Sequence, residues 1–306
     1  MTTPKPQAAG ASTVYRASTL KRERRTKEQL AQLDAQIAAV LRADHPQSVR
    51  HVFYRMTDPR LPEPVEKSDR GYRHVQDRCV KLRRSGTIPY SWFADLSRRG
   101  YFVSVFDDAG DFLRRMNHLY RADLWRDADV RCEVWTESRS IASVLLADCR
   151  ELAVDLYPCG GFSSLSFVHE AAEQHNQSED QRPLVILYVG DYDPAGVMID
   201  KALENELRLH LRDDIELDFR RIAINESQIE VYDLPTKPRK EGDKRSQQVA
   251  HTVEAEAMPA ATLRHLVNFE IEYLLPDRAL EVAKVAEASE KEQLGRMAEM
   301  FGRGLQ

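Results

Sequence analysis

The stretch Leu187-Tyr188-Val189-Gly190-Asp191-Tyr192-Asp193-Pro194 sets two carboxylates one residue apart, directly after an apolar run that begins at Leu184. Two such charges repel each other unless a cation or a set of donors holds them. The run Leu184–Val189 has the character of a strand buried on both faces, as in parallel sheets. Pro194 suits the first turn of a helix, and Asp193 is placed to cap it. In open α/β sheets, ligands collect outside the carboxyl ends of the strands. The pair therefore has two readings: a turn residue followed by a helix cap, or two ligands of a cation.

The elements around this pair decide what else reaches it. Residues 130–137 predict a strand and 141–152 a helix capped by Ser138 or Ser140. A short strand at 153–157, a glycine-rich turn at 159–164 and a helix at 165–175 follow. After the Asp-x-Asp strand come a helix running through 210 and a strand at 215–224. This alternation predicts an α/β fold, a parallel sheet flanked by helices. Glu137 then ends a strand on the same edge as Asp191 and Asp193, which gathers three acids into one candidate site. Oxygen ligands without His or Cys suit Mg²⁺ or Mn²⁺ and not zinc. The chain has no G-x-x-x-x-G-K-[ST] stretch, so these acids do not serve a P-loop.

The first part of the chain offers a different chemistry. Residues 1–20 form a small, polar, Pro-containing tail that is expected to be disordered. A basic run, 21–27, leads into a helix on which Leu30, Leu33, Ile37 and Leu41 share a face and Thr26 and Gln29 fit a capping box. A second helix at 48–56 turns Val49, Val52, Phe53 and Met56 inward and carries Tyr54. That phenol could pack in the core, donate to a phosphate, or act as a nucleophile. A third helix at 69–86 buries Tyr72, Val75, Val80 and Leu82, shows Arg70, Arg73, Arg78, Lys81, Arg83 and Arg84, and closes at Gly86. With the extended segment expected at 87–93, the three helices are similar to a winged helix-turn-helix whose cations meet DNA phosphates.

Bulk properties agree with a soluble chain that binds a polyanion. The 306 residues are 30% charged and 42% apolar, enough for a sizeable core and two domains, placed at 21–125 and 126–306. The net charge of −5 is divided unevenly. Residues 1–125 carry 23 Lys/Arg against 14 Asp/Glu, whereas 126–306 carry 21 against 35. A basic half joined to an acidic half points to polyanion binding beside cation binding. No apolar run is long enough for a membrane span, and no apolar signal core opens the chain, so a cytoplasmic, nucleoid-associated protein is expected. Cys79, Cys132, Cys149 and Cys159 lack metal spacing and read as buried free thiols.

A Glu ending one strand and an Asp-x-Asp ending a later one resemble the Toprim signature of topoisomerases, primases and some nucleases. The segment Gly190–Gly196 is similar to the Asp-x-Asp-Pro-x-Gly form in the A subunit of type IIB topoisomerases (topoisomerase VI) and its meiotic break-making relative. Residues 48–56 resemble that family's Arg-x-x-(Phe/Tyr)-Tyr helix, with Tyr54 at the DNA-cleaving tyrosine and Arg50 at the arginine four residues before it. Residues 253–258 resemble its Glu-x-Glu-Ala-Leu strand. The three motifs stand in the family's order and cover about residues 47–258.

The resemblance implies cleavage of double-stranded DNA by Tyr54 through a 5′-phosphotyrosyl bond. It assigns Mg²⁺ or Mn²⁺ to Asp191 and Asp193, a ligand or acid–base role to Glu137, and a second metal site to Glu254 or Glu256. It also implies a homodimer in which tyrosine and acids come from different protomers, and a separate ATPase-bearing B-type subunit. The chain is short for a topoisomerase A subunit and is most similar to reduced, stand-alone A-like proteins of bacteria and mobile elements. Two other classes fit the same residues: a Toprim nuclease that activates water, and a DNA-binding protein without catalysis.

Overall fold

The apolar run Leu184–Val189 forms β3, buried along its whole length at the centre of a four-stranded parallel sheet of order β2-β1-β3-β4. Its neighbours are β1 (Arg131–Thr136), β2 (Asp155–Pro158) and β4 (Leu217–Ala223). The computed structural model describes residues 25–94, 103–117, 119–160, 165–194, 196–238 and 251–303. The N-terminal tail, residues 21–24 of the basic run and residues 161–164 of the glycine-rich turn lie outside the described residues.

Alternate residues of the strands feed two apolar layers, as the period of two requires. Val134, Val185, Leu187 and Ile222 face one core, and Trp135, Ile186, Tyr188 and Leu217 face the other. The second core is closed by α6 (Leu165–Asn176) and α7 (Gly196–His210). The first is closed by α5 (Arg139–Glu151) and α9 (Ala260–Leu274), and it continues into three N-terminal helices. These are α1 (Lys27–Ala43), α2 (Val49–Met56) and α3 (Asp69–Arg84). Helix α4 (Ala109–Asn117) packs along α10 (Ala279–Arg303), and α8 (Glu226–Val231) follows β4. A two-residue antiparallel pair joins β5 (Lys237–Pro238) to β6 (His251–Thr252). The protein is therefore α/β, with a parallel sheet flanked by helices, as its element order predicts. No described helix is long and apolar enough to cross a membrane.

Local signals explain the helix ends. Thr26 and Gln29 form the reciprocal capping box of α1. Ser138 Oγ accepts the Ile141 amide and caps α5. Gly86 adopts φ +75° just beyond α3, with Thr87 N–H reaching Leu82 O and Gly86 N–H reaching Arg83 O. That left-handed residue closes the helix at little steric cost because it has no Cβ. All four cysteines are free and buried.

Two segments differ from their expected form. Residues 87–93 are extended only in part. Pro89 and Phe93 have extended backbone and Phe93 bridges Gln47, but Tyr90–Trp92 is a 3₁₀ turn, held by Trp92 N–H to Pro89 O and Phe93 N–H to Tyr90 O. Residues 253–258 are not a strand either. Val253 makes an isolated antiparallel bridge to Tyr192, and Ala255–Ala257 is a 3₁₀ turn. The amide of Ala255, which a ladder would use, donates to the Asp191 side chain.

Candidate functional site

Strands β1 and β3 are neighbours with Thr136 opposite Val189, so the residues following each meet at one sheet edge. Glu137 Oε2 accepts the Asp191 amide at 2.9 Å, and Asp191 Oδ1 accepts the Ala255 amide at 2.8 Å. Tyr192 and Val253 exchange two backbone bonds of 2.8 Å, which ties the 254–257 turn to the Asp-x-Asp loop. Glu256, almost fully buried, accepts from Ser138 Oγ at 3.3 Å and from Ser140 Oγ. Asp193 Oδ1 accepts the Gly196 amide at 2.6 Å and so caps α7. Arg221 of β4 clamps the loop from beneath. Its guanidinium donates to the carbonyls of Gly190, Asp191 and Gly196 and pairs with Asp200 at 2.6 Å.

Gly196 has a steric reason to be glycine. A Cβ there would stand 2.2 Å from the Asp191 carbonyl oxygen and 3.3 Å from Asp193 Oδ1. Gly196→Ala is expected to cost about 1–3 kcal/mol, the usual penalty for overpacking. Urea denaturation measures it, and an unchanged midpoint would show that the loop gives way freely.

The acids disturb one another. Burial, then the charges of Glu137 and Glu256, push the Asp191 carboxyl well above its usual range. Glu137 is raised too, by burial first and by the Asp193 and Glu256 charges, against the Asp191 amide and Arg221. Such groups bind a proton more tightly folded than unfolded. A bound cation would relieve the same strain. Among the described residues, no group of three or more His, Cys, Asp or Glu side chains is arranged to hold a metal ion as it stands.

Glu254 belongs to a different cluster. Its Oε2 accepts from Arg50 Nη1 at 2.5 Å and its Oε1 from Lys237 Nζ at 2.8 Å. The Tyr54 phenol is close enough to feel the charge of the same carboxylate. Burial opposes the Glu254 charge, but Lys237 and Arg50 outweigh it and hold the carboxyl below its usual range. Tyr54 itself is 3% exposed, beside Phe53 with ring centroids 5.3 Å apart. Lys67 Nζ and Lys237 Nζ lie 5.5 and 5.8 Å from its ring centroid. Burial, then the Glu254 charge, raises the phenol far above its ordinary value. Burial and the neighbouring Lys237 charge push the Lys67 ammonium down to about 8.

Helix α2 thus docks on the turn that also serves the acids. Arg50 reaches Glu254, and one turn later Arg55 Nη2 donates to Ala257 O at 2.5 Å. Between α2, α3 and the sheet edge lies a cleft of about 680 Å³. Asp191, Glu256, Ser138 and Ser140 line one wall, and Arg50 and Arg83 the other.

Against this geometry, comparison with known proteins adds nothing: no protein family, curated protein or solved structure matches the chain significantly.

The structure brings Arg50, Asp191 and Glu256 to the cleft, with Glu137 directly behind Asp191 and Tyr54 behind Glu254. The α3 cations divide into two groups. Arg70, Arg73, Lys81 and Arg84 are exposed. Arg78 makes a two-pronged pair with Asp34 of α1, one bond being 2.6 Å, and Arg83 lies 4.4 Å over the Phe93 ring. If the exposed set tracks phosphates, Arg73→Ala, Lys81→Ala and Arg84→Ala should each lower the log–log salt slope of DNA affinity by about one. Arg78→Ala should leave that slope alone and cost about 1–3 kcal/mol of stability. Fluorescence anisotropy over a salt series, with urea denaturation, separates the two; salt-independent binding would contradict the phosphate role. Lys67, Lys237 and Arg221 were not among the residues singled out from sequence. An arginine pair inside the apolar strand Leu217–Ala223 was the available signal for Arg221.

Proposed function

We propose that the protein binds double-stranded DNA and cleaves it by tyrosine transesterification, in the manner of a topoisomerase VI A subunit with a winged-helix-like part and a Toprim-type sheet. One observation carries this reading. The tyrosine helix and the acidic strand ends, far apart in sequence, meet on the 254–257 turn, through Arg50 to Glu254 and Asp191 to Ala255.

In this reading Tyr54 Oη gives up its proton to solvent and attacks the scissile phosphorus. The bond to the 3′ oxygen breaks with that oxygen taking up a proton, and the DNA 5′ phosphate stays on the tyrosine. A phenol is a weak nucleophile near neutral pH, so positive charge must offset the developing oxyanion. Lys67 and Lys237 supply that charge beside the ring, and Arg50 supplies it from its pair with Glu254. The oxygen-only side chains of Asp191, Glu137 and Glu256 are of the type a hard divalent cation takes. They would have to converge on it from their present arrangement, which would relieve the repulsion that, after burial, holds Asp191 and Glu137 above their usual range. Glu254 does not fit that set, since Arg50 and Lys237 already neutralise it. Bound there, Mg²⁺ or Mn²⁺ would offset charge on the phosphate. A homodimer would carry two such sites and cut both strands, and a separate B-type ATPase subunit would act on that dimer. Each site joins tyrosine and acids of one chain, where the resemblance implies two.

A second reading, hydrolysis by water, draws on the burial of Tyr54 behind Glu254 while Asp191 and Glu256 line the wider cleft. Supercoiled plasmid incubated with the protein and Mn²⁺, then quenched in detergent, tests the choice. Broken plasmid that enters a gel only after protease treatment supports transesterification. Broken plasmid that enters freely supports the nuclease.

A further inference from the structure

The pocket beside Tyr54 sets three cations, Arg50, Lys67 and Lys237, against two carboxylates, Glu254 and Asp69. Its volume is about 350 Å³, and Arg50, Lys67, Tyr72, Lys237 and Glu254 are among its lining residues. Arg50 and Lys237 each grip one oxygen of Glu254, at 2.5 and 2.8 Å. Lys67 Nζ donates to the uncharged carbonyls of Pro235 and Thr236 at 2.7 and 2.8 Å, and it faces the Tyr54 ring. A carboxylate bridging two cations presents its oxygens much as two oxygens of a phosphate would.

We propose that this pocket is a phosphate site, in which Glu254 occupies the place of a DNA backbone phosphate until one arrives. Exchange of the phosphate for the Glu254 carboxylate keeps Arg50 and Lys237 paired and brings Lys67 a counter-ion. It also moves the Glu254 carboxylate away from the Tyr54 hydroxyl, so that tyrosine and phosphate face each other. The identity of the phosphate as DNA backbone rests on the reading above; the pocket's preference for phosphate does not.

Two measurements on the full chain test this, both in EDTA so that cleavage plays no part. The first is thermal unfolding in sodium phosphate against sodium chloride at equal ionic strength. Glu254→Gln removes the charge and keeps the shape, so phosphate should raise its midpoint by roughly 2–4 °C more than that of the wild type. Adding Lys67→Gln should cancel the gain. The second is anisotropy of a short labelled DNA duplex, for which Glu254→Gln should bind about tenfold more tightly and the double variant should lose that gain. Should Glu254→Gln fail to fold, Glu254→Asp draws the carboxylate back by one methylene and takes its place in both assays.

Both responses together support a backbone-phosphate site. A phosphate response in a protein that binds no duplex supports the phosphate site for the free ion and overturns the DNA reading. Equal responses in wild type and Glu254→Gln overturn the proposal.

Discussion

Asp191→Asn is expected to unfold at a higher temperature than the wild type at about pH 8, and to lose its response to Mg²⁺. Burial and the charges of Glu137 and Glu256 hold the Asp191 carboxyl well above its usual range. A carboxyl raised in this way contributes stability that is complete below its unfolded value and is lost as pH rises through its folded value. At about pH 4 and below, wild type and variant should therefore converge, and above it the wild type should fall behind. The gain at neutral pH is expected to be about 1–2 kcal/mol, typical of relieving a site kept strained for function. The asparagine can still accept the Ala255 amide, so the turn stays tied. In the wild type, Mg²⁺ at a hundred times its Kd should add about 2.7 kcal/mol, because it binds only the folded state. Thermal shift over pH, with and without Mg²⁺, reads both effects. An identical Mg²⁺ response in the two proteins would remove Asp191 from any metal site.

Tyr54→Phe should abolish cleavage, a loss on the order of 10⁴-fold or more for removal of a nucleophile. The substitution deletes one oxygen and leaves the ring against Phe53, Lys67 and Lys237. Glu254 keeps Arg50 and Lys237, so loss of the hydroxyl should cost only about 1 kcal/mol. Duplex affinity in EDTA should change little, which separates chemistry from binding. Plasmid nicking by Tyr54→Phe at the wild-type rate would assign the attack to water and leave Tyr54 a packing residue.

Much of the scaffold was legible because it rests on local signals. The run Leu184–Val189 and the capping residues Thr26, Gln29, Ser138 and Asp193 do in the structure what their types predict. The edge shared by Glu137 and Asp191 followed from strand alternation alone. Where local pattern and tertiary demand compete, the pattern misleads. Val253–Met258 alternates like a strand, yet Asp191 takes the Ala255 amide and the segment tightens into i→i+3 bonds from Glu254 and Ala255. Residues 87–93 are rich in aromatic side chains suited to a strand, but Arg83 stacks on Phe93 and Tyr90 while the backbone turns. The docking of α2 on the 254–257 turn had no local signal, because Arg50 and Glu254 are 204 residues apart. Lys67 and Lys237 sit in Pro-containing stretches of sequence, where a lone lysine has the look of an ordinary solvated charge.

The most direct test of the central claim is the mass of one peptide. Trypsin cuts after Arg50 and Arg55 and releases His51-Val52-Phe53-Tyr54-Arg55. The wild type is incubated with plasmid and Mn²⁺, stopped with detergent, digested with nuclease and trypsin, and examined by mass spectrometry. Transesterification predicts this peptide carrying a nucleotide linked through its 5′ phosphate to Tyr54. Cut DNA with free 5′ ends, accompanied only by the unmodified peptide, would contradict it.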